Sequence, residues 1–335
     1  MRLVPSSSMI RPRSRRTLQI FVLAIAGLLA GLTFAQPASA QERLSVVATT
    51  GQIADAVREV GGDLVQVKAL MGPGVDPHAY RQTRTDIVAM TRADLVLWHG
   101  LYLEAQMEDF MHQLTQRQRV VAVAEQLPPN LLLAHEDYEN KFDPHVWMNP
   151  DLWSKVVLAV RDALIEARPE AAETFRANTE SHVAEVAELA TYVQTALASV
   201  PTDSRVLVSA HDAFNYFGAA YGFEVIGIQG ISTESEAGVK RISELVDLLV
   251  ERKVSAVFVE SSISDRNVRA LIEGAAAQGH EVAISGELFS DAMGQDGTYR
   301  GTYLGMIDHN ATVITRALGG QAPEKGMAGL LTADT

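Results

Sequence analysis

From Pro169 to Val200 the chain runs for thirty-two residues, "PEAAETFRANTESHVAEVAELATYVQTALASV", with no internal glycine or proline and many strong helix formers. Pro169 suits a first helical turn and Pro201 blocks continuation at the far end. A helix of this length spans roughly 48 Å at 1.5 Å per residue. That exceeds what one small domain needs, so residues 169–200 read as a rigid strut. It divides the chain into an N-terminal lobe, 41–168, and a C-terminal lobe, 201–335.

Short apolar runs alternate with helical patterns on both sides of the strut. Before it, "RLSVVAT", "LVQVKALM", "DLVLWHG" and "VVAVAE" read as strands, and "QIADAVREVGG" and "DIVAMTRA" as helices. After it, "RVLVSAH", "EVIGIQ", "SAVFVESS" and "EVAISGELF" read as strands, each followed by a helical pattern, the last around 302–318. The expected fold class is α/β: two lobes, each a mostly parallel sheet flanked by helices, joined by one long helix. The two halves share a layout, but no sequence repeat marks a duplication.

Residues 1–40 carry five arginines and no acidic residue. The basic run "RPRSRR" precedes "LQIFVLAIAGLLAGLTFA" and then "QPASA", the order of an export signal cut after Ala40. The small-x-small ending and the glycines favour cleavage over a retained membrane anchor. The pair Arg15–Arg16 permits a twin-arginine export route. A lipid-anchored exported protein needs a cysteine at its cleavage site, and the sequence has none. The mature chain is therefore expected free in the periplasm, as a monomer stabilised by its own core without disulfides. Cleavage changes the net charge from 28 − 41 = −13 to 23 − 41 = −18. Such an acidic surface argues against nucleic acid or anionic lipid as a partner and is compatible with cations.

Nine histidines need sorting. His112 and His182 fall in helical patterns and His280 precedes a strand, which suits surface or packing roles. His135 lies in the acidic loop "AHEDYEN" and is expected to be solvated. His309 sits in the last helix, and His99 ends a strand in "LWHG"; packing is the better reading of both. Three others differ. His78 in "GPGVDPHAYRQTRTD" and His145 in "FDPHVWMNP" each follow Asp-Pro in a loop, sixty-seven residues apart, and His211 ends the strand "RVLVSA". Asp291, in "GELFSDAMG", stands just past another strand. Ligands of open parallel sheets collect outside the carboxyl ends of the strands. Three imidazoles and a carboxylate suit a divalent transition metal, although unrelated loop residues remain the bland alternative. Glu260 in "VFVESS" and Asp212 beside His211 offer a general acid or base, but hydrogen bonding to a ligand or helix capping is the better reading. No G-x-S-x-G, HExxH, P-loop or helix-opening G-x-G-x-x-G is present.

Four stretches, "GPGVDPHAYRQTRTD", "DPHVWMNPDLW", "SAHDAFNYFGAAYGFE…GISTESEAG" and "ELFSDAMG…GTYLGMIDHN", resemble the signature blocks of the metal-specific periplasmic binding proteins of ABC importers. They are similar to the TroA-like group, in the family that also holds the zinc- and manganese-binding ZnuA and PsaA types. The resemblance spans essentially the whole mature chain. It implies two α/β lobes on one long helix with the metal between them, His78 and His145 as N-lobe ligands, and His211 and Asp291 as C-lobe ligands. It also implies a membrane permease with its ATPase as partner, Zn²⁺ or Mn²⁺ as cargo, and no organic cofactor.

Three departures bear on the metal. Strongly manganese-preferring members often carry Glu where His211 stands. Many dedicated zinc members have a long His-rich loop between the first two ligands, and this chain has only "LLLAHEDYENKFDPH". The block often written HVWLDP is HVWMNP here, so Asn149 replaces an acid. Three borderline imidazoles and one carboxylate suit zinc, which outbinds manganese at such sites, so a site taking both with zinc tighter is expected. The alternative function is a metal-dependent hydrolase built on the same cluster. A catalytic zinc keeps an open position and a nearby base, whereas four protein ligands from two lobes suit a closed cargo site.

Overall fold

The computed structural model describes Met1, residues 42–135 and residues 138–331. Apart from Met1, the export signal, its paired arginines and its cleavage site lie outside the described residues.

The N-lobe sheet is four-stranded and parallel, in the order β2-β1-β3-β4, from β1 (Leu44–Ala48), β2 (Val65–Ala69), β3 (Leu95–Trp98) and β4 (Val120–Ala122). β1 and β3 are the central strands, and all but one of their residues are buried, as a sheet covered on both faces requires. Helix α1 (Gly51–Gly61) starts where Thr50 accepts the Ile53 N–H, and α2 (Arg84–Arg92) starts with a reciprocal Thr83–Asp86 capping box. The short α3 (Glu108–Leu114) and the eighteen-residue α4 (Pro150–Ala167) complete this lobe. α4 lies outside the simple alternation read from the sequence. It opens with Pro150 at its first position and buries Leu152, Trp153, Val156, Val157 and Val160 on one face. Asn149, which stands where the resembling block has an acid, caps it: its Oδ1 accepts the Asp151 N–H at 2.9 Å.

The strut is shorter than expected. Pro169–Ala171 form a 3₁₀ turn, and the α-helix proper, α5, runs Ala172–Ala198, about 40 Å at 1.5 Å per residue. Its buried positions Phe175, Thr179, His182, Val186, Leu189 and Val193 recur every three or four residues, one stripe along its length. Each fully buried apolar side chain there contributes roughly 1.5–3 kcal/mol. The stripe touches both lobes. Asn178 donates to the Val60 carbonyl of α1 at 3.0 Å, and Tyr192 pairs with Thr312 in the last helix at 2.8 Å.

The C-lobe holds two parallel strand pairs, β5 (Val206–Ser209) with β6 (Glu224–Gly227) and β7 (Ala256–Glu260) with β8 (Ala283–Leu288). Helices α6 (Asn215–Tyr221), α7 (Val239–Arg252), α8 (Arg266–Ala277) and α9 (Tyr303–Ala317) connect or cover them. β5 packs beside β7, bringing their carboxyl ends together. One apolar core runs without a break from β1 and α1, through α4 and α5, to α9 and Phe289. A second core lies inside the C-lobe between β5, β7, α7 and α8.

Candidate metal centre

Four loops, two from each lobe, bring His78, His145, His211 and Asp291 to one point; one ligand atom from each lies within 4.8 Å of all the others. Both Asp-Pro-His tripeptides fold alike. Asp76 Oδ1 accepts the His78 backbone N–H at 2.9 Å, and Asp143 Oδ1 accepts that of His145 at 2.9 Å. Each is a turn closed by an aspartate two residues back, with the intervening proline fixing φ. The far end of the His78 loop is pinned where Tyr80 OH donates to Asp86 Oδ2 at 2.7 Å.

His211 follows β5 directly. Gly227 makes room for it: a Cβ at that position would stand 2.5 Å from the Asp212 nitrogen, where the chain crosses the end of β6. Asp291 follows β8, and N-lobe groups hold its backbone. Gln52 Nε2 donates to the Asp291 carbonyl at 2.9 Å, and Trp147 Nε1 to that of Ser290 at 2.8 Å.

The side chains converge in near-total burial, His145 and His211 at 0 %, His78 at 2 % and Asp291 at 3 % exposure. Nε2 of His78 and Nε2 of His145 are 3.3 Å apart. Asp291 Oδ1 lies 3.3 Å from His145 Nε2, and its Oδ2 lies 3.2 Å from His211 Nε2 and 3.9 Å from His78 Nε2. No aligned hydrogen bond reaches His211 Nε2 or either oxygen of Asp291. Buried polar atoms are rarely left so. A buried carboxylate is costly unless positive charge meets it, from protonated rings or from a cation.

Two carboxylates stand behind the rings. His145 Nδ1 donates to Asp143 Oδ1 at 2.8 Å and His211 Nδ1 to Glu260 Oε2 at 2.5 Å, which fixes both tautomers and turns each Nε2 inward. Glu260 Oε1 also accepts the His211 backbone N–H at 2.9 Å. Burial opposes charge on His145, but Asp143 and then Asp291 outweigh it and raise its pKa to about 9. Burial likewise opposes charge on His211, and Glu260 with Asp291 holds its pKa well above the ordinary imidazole value. Burial would raise Asp291, yet the charge on His211 holds it well below the usual carboxylate range. Among the described residues no carboxylate backs the His78 ring, and burial takes its pKa down to about 3.

The remaining histidines keep away from this point. His112 packs its ring edge-on to Trp98, and His182 lies buried in the α5 stripe. His280 Nε2 donates to the Val254 carbonyl and His309 Nε2 to the Glu287 carbonyl. His135, expected to be solvated, is 7 % exposed, its ring against Tyr138 at 4.7 Å; the acidic letters around it gave no sign of that cover. His99 is more than packing. Its Nε2 donates to the Pro144 carbonyl at 2.7 Å and its ring meets Trp147 edge-on at 4.9 Å, so it buttresses the His145 turn. Glu260 bonds the ligand it was expected to orient, but Asp143 was read only as the letter before Pro-His. Its position two residues ahead of a loop histidine was the available signal.

A family model described as zinc-uptake complex component A, periplasmic, matches residues 46–317. The chain belongs to this family. Among its relatives, the manganese-binding lipoprotein MntA of Bacillus subtilis (strain 168) is 46 % identical over 280 residues, 84 % of this chain and 91 % of the relative. The zinc-binding protein TroA of Treponema pallidum (strain Nichols) is 46 % identical over 300 residues, covering 89 % and 96 %. The solved structure of the periplasmic zinc-binding protein TroA from Treponema pallidum superposes with a TM-score of 0.81, covering 83 % of this chain and 99 % of that one. As a substrate-binding member of this family, the chain is a periplasmic component of an ABC importer.

Proposed function

We propose that His78, His145, His211 and Asp291 together hold one divalent transition metal as cargo, zinc or manganese, which the chain passes to a membrane permease driven by its ATPase. The carrying observation is the pattern of separations. A tetrahedral ion with bonds of 2.0–2.2 Å has ligand atoms about 3.4 Å apart. Four separations in the cluster, from 3.2 to 3.9 Å, bracket that value inside an overall spread of 4.8 Å, and His211 Nε2 and both Asp291 oxygens lack hydrogen-bond partners. Zinc is the tighter cargo on this donor set. Relatives equally identical to this chain carry manganese in one name and zinc in the other, so kinship does not separate the two.

Nothing is turned over in this reading. The four side chains are at most 3 % exposed, which leaves an organic substrate little access to the point where they meet. Asp143 and Glu260, the carboxylates nearest to serve as a base, are each bonded to a ligand ring. The lobes are taken as residues 41–168 and 201–335 with 169–200 between them, which the separate sheets and the two-sided packing of α5 support. The mature chain is read as a free periplasmic monomer, the absence of cysteine from the sequence supporting release from any lipid anchor.

A competition titration of Zn²⁺ against Mn²⁺ on metal-free protein tests the proposal. One ion per chain, with zinc displacing manganese, is the expected result. Failure to take up either ion would remove the cargo reading.

A further inference from the structure

The two Asp-Pro-His turns differ in how firmly the opposite lobe holds them. Asp143 is 0 % exposed and held several times over. Its Oδ1 serves His145, its Oδ2 accepts Asn215 Nδ2 at 3.1 Å, and its carbonyl accepts Tyr216 OH at 2.9 Å. Asn215 and Tyr216 belong to α6 of the C-lobe. Asp76 is only half-buried, and one C-lobe side chain bonds it: Thr233 Oγ1 donates to Asp76 Oδ2 at 2.6 Å.

Thr233 lies in residues 228–238, the loop joining β6 to α7. This loop reaches the N-lobe at consecutive residues, since Gln106 Nε2 also donates to the Glu234 carboxylate. Beneath it is a cavity of about 500 Å³ lined by its own residues Ile228, Gln229, Ser232 and Ser235, and by Arg241. Ile228 and Ile231 bury the first half of the loop, but residues 232–238 are half-buried or exposed beside this open space, the condition for cheap local opening of that outer segment.

We propose that the Thr233–Asp76 hydrogen bond is a release latch: it ties the outer segment 232–238 of this C-lobe loop to the ligand His78, so that lifting that segment loosens His78 while residues 228–230, bonded to the chain on either side of His211, keep His211 in place with His145 and Asp291. The coupling is short. Asp76 Oδ1 holds the His78 N–H, its Oδ2 holds Thr233, and Pro77 between them transmits any rotation of Asp76 to the ring. His78 is also the histidine ligand with no carboxylate behind its ring among the described residues, so the ring depends on the turn and on the Tyr80 pin for its place. Thr233 is thus a positioning residue, and a permease that pulls on this loop gains leverage on one ligand of the cargo. The inference rests on the metal-cargo reading above.

The test uses the full chain loaded with Zn²⁺ and follows metal loss into excess chelator. Thr233→Val keeps the shape and removes the donor; it should speed dissociation about tenfold, the scale of losing a partner that orients a ligand. Thr233→Ser should restore the parent rate, and all three metal-free proteins should melt at the same temperature. Asn215→Ala, which leaves Asp143 bonded to Tyr216 and to the His145 ring, should change the rate less than Thr233→Val. A parent-like off-rate in Thr233→Val with normal zinc stoichiometry would overturn the latch and spare the cargo reading. Equal acceleration by Thr233→Val and Asn215→Ala would overturn it too. A parent protein that takes up no zinc would sink the cargo reading itself, and the latch with it.

Discussion

Asp143 Oδ1 accepts two hydrogen bonds from a single residue, His145: the backbone N–H at 2.9 Å and the ring Nδ1–H at 2.8 Å. One carboxylate oxygen thereby sets both the backbone turn and the plane of the ring it carries. Glu260 does the same for His211 with its two oxygens. Losing such an orienting carboxylate typically lowers metal affinity about 10–100-fold. Asp143→Ala and Glu260→Gln should each fall in that range in calorimetric titration with zinc. Unchanged affinity in both would show that the ring tautomers do not matter.

His211→Ala should cost more affinity than either of those changes, because it removes a donor atom from the shell. His112→Ala and His182→Ala should leave affinity intact, since both rings lie away from the cluster. Equal losses from all three in the same titration would refute the sorting of the histidines.

Proton competition should begin at higher pH than three ordinary imidazoles would dictate. From the unperturbed value, affinity is expected to fall as pH drops through roughly 6.5. His145 is raised to about 9, so below that pH its ring carries a proton that an entering ion must displace. Affinity should therefore increase with pH up to about 9, and zinc binding at pH 7.5 should release protons, detectable as heats that vary with the buffer's ionisation enthalpy. An affinity that stays flat between pH 7.5 and 5.5 would contradict the three-histidine shell.

The metal-free fold should lose stability in acid partly through His309, outside the cluster. Burial lowers its pKa to about 4, so the folded protein keeps it neutral while the unfolded chain takes up a proton below 6.5. Its contribution is fully present above pH 6.5 and is lost as pH falls towards 4, by up to about 3 kcal/mol. Urea unfolding of metal-free parent and His309→Gln at pH 7.5 and 5 should show a shallower pH dependence in the variant. Identical slopes would count against a neutral, buried His309.

Metal release should move the lobes only modestly. α5 has no glycine or proline over Ala172–Ala198, and the core it lies in crosses from one lobe to the other. Bending the helix would break backbone hydrogen bonds, and opening the lobes would expose Trp153, which stacks on Tyr303 at 5.1 Å. Small-angle scattering should give nearly the same radius of gyration with and without metal. A large increase on metal removal would mean that the helix hinges.

The sequence by itself determined the parts whose information is local. Strand–helix alternation pointed to the α/β class and a run free of glycine and proline to the long helix, while two Asp-Pro-His turns with two strand-end residues offered a candidate cluster that the family resemblance singled out. Each depends on residues within a few positions of one another, where period, proline and turn chemistry leave a trace. What the tertiary structure alone decided is every contact between distant segments, most of them between lobes. Thr233 meets Asp76 across 157 residues, Trp147 meets the Ser290 carbonyl across 143, and His99 supports Pro144 across 45. Such pairs carry no period, because a hydrogen bond between distant segments is set by how whole elements pack and not by their neighbours in the chain. His135 was missed on a shorter scale: its acidic surroundings read as solvent-facing, yet Tyr138, three residues on, packs against its ring. Burial belongs to whatever packs against a residue, and the neighbouring letters alone do not state it.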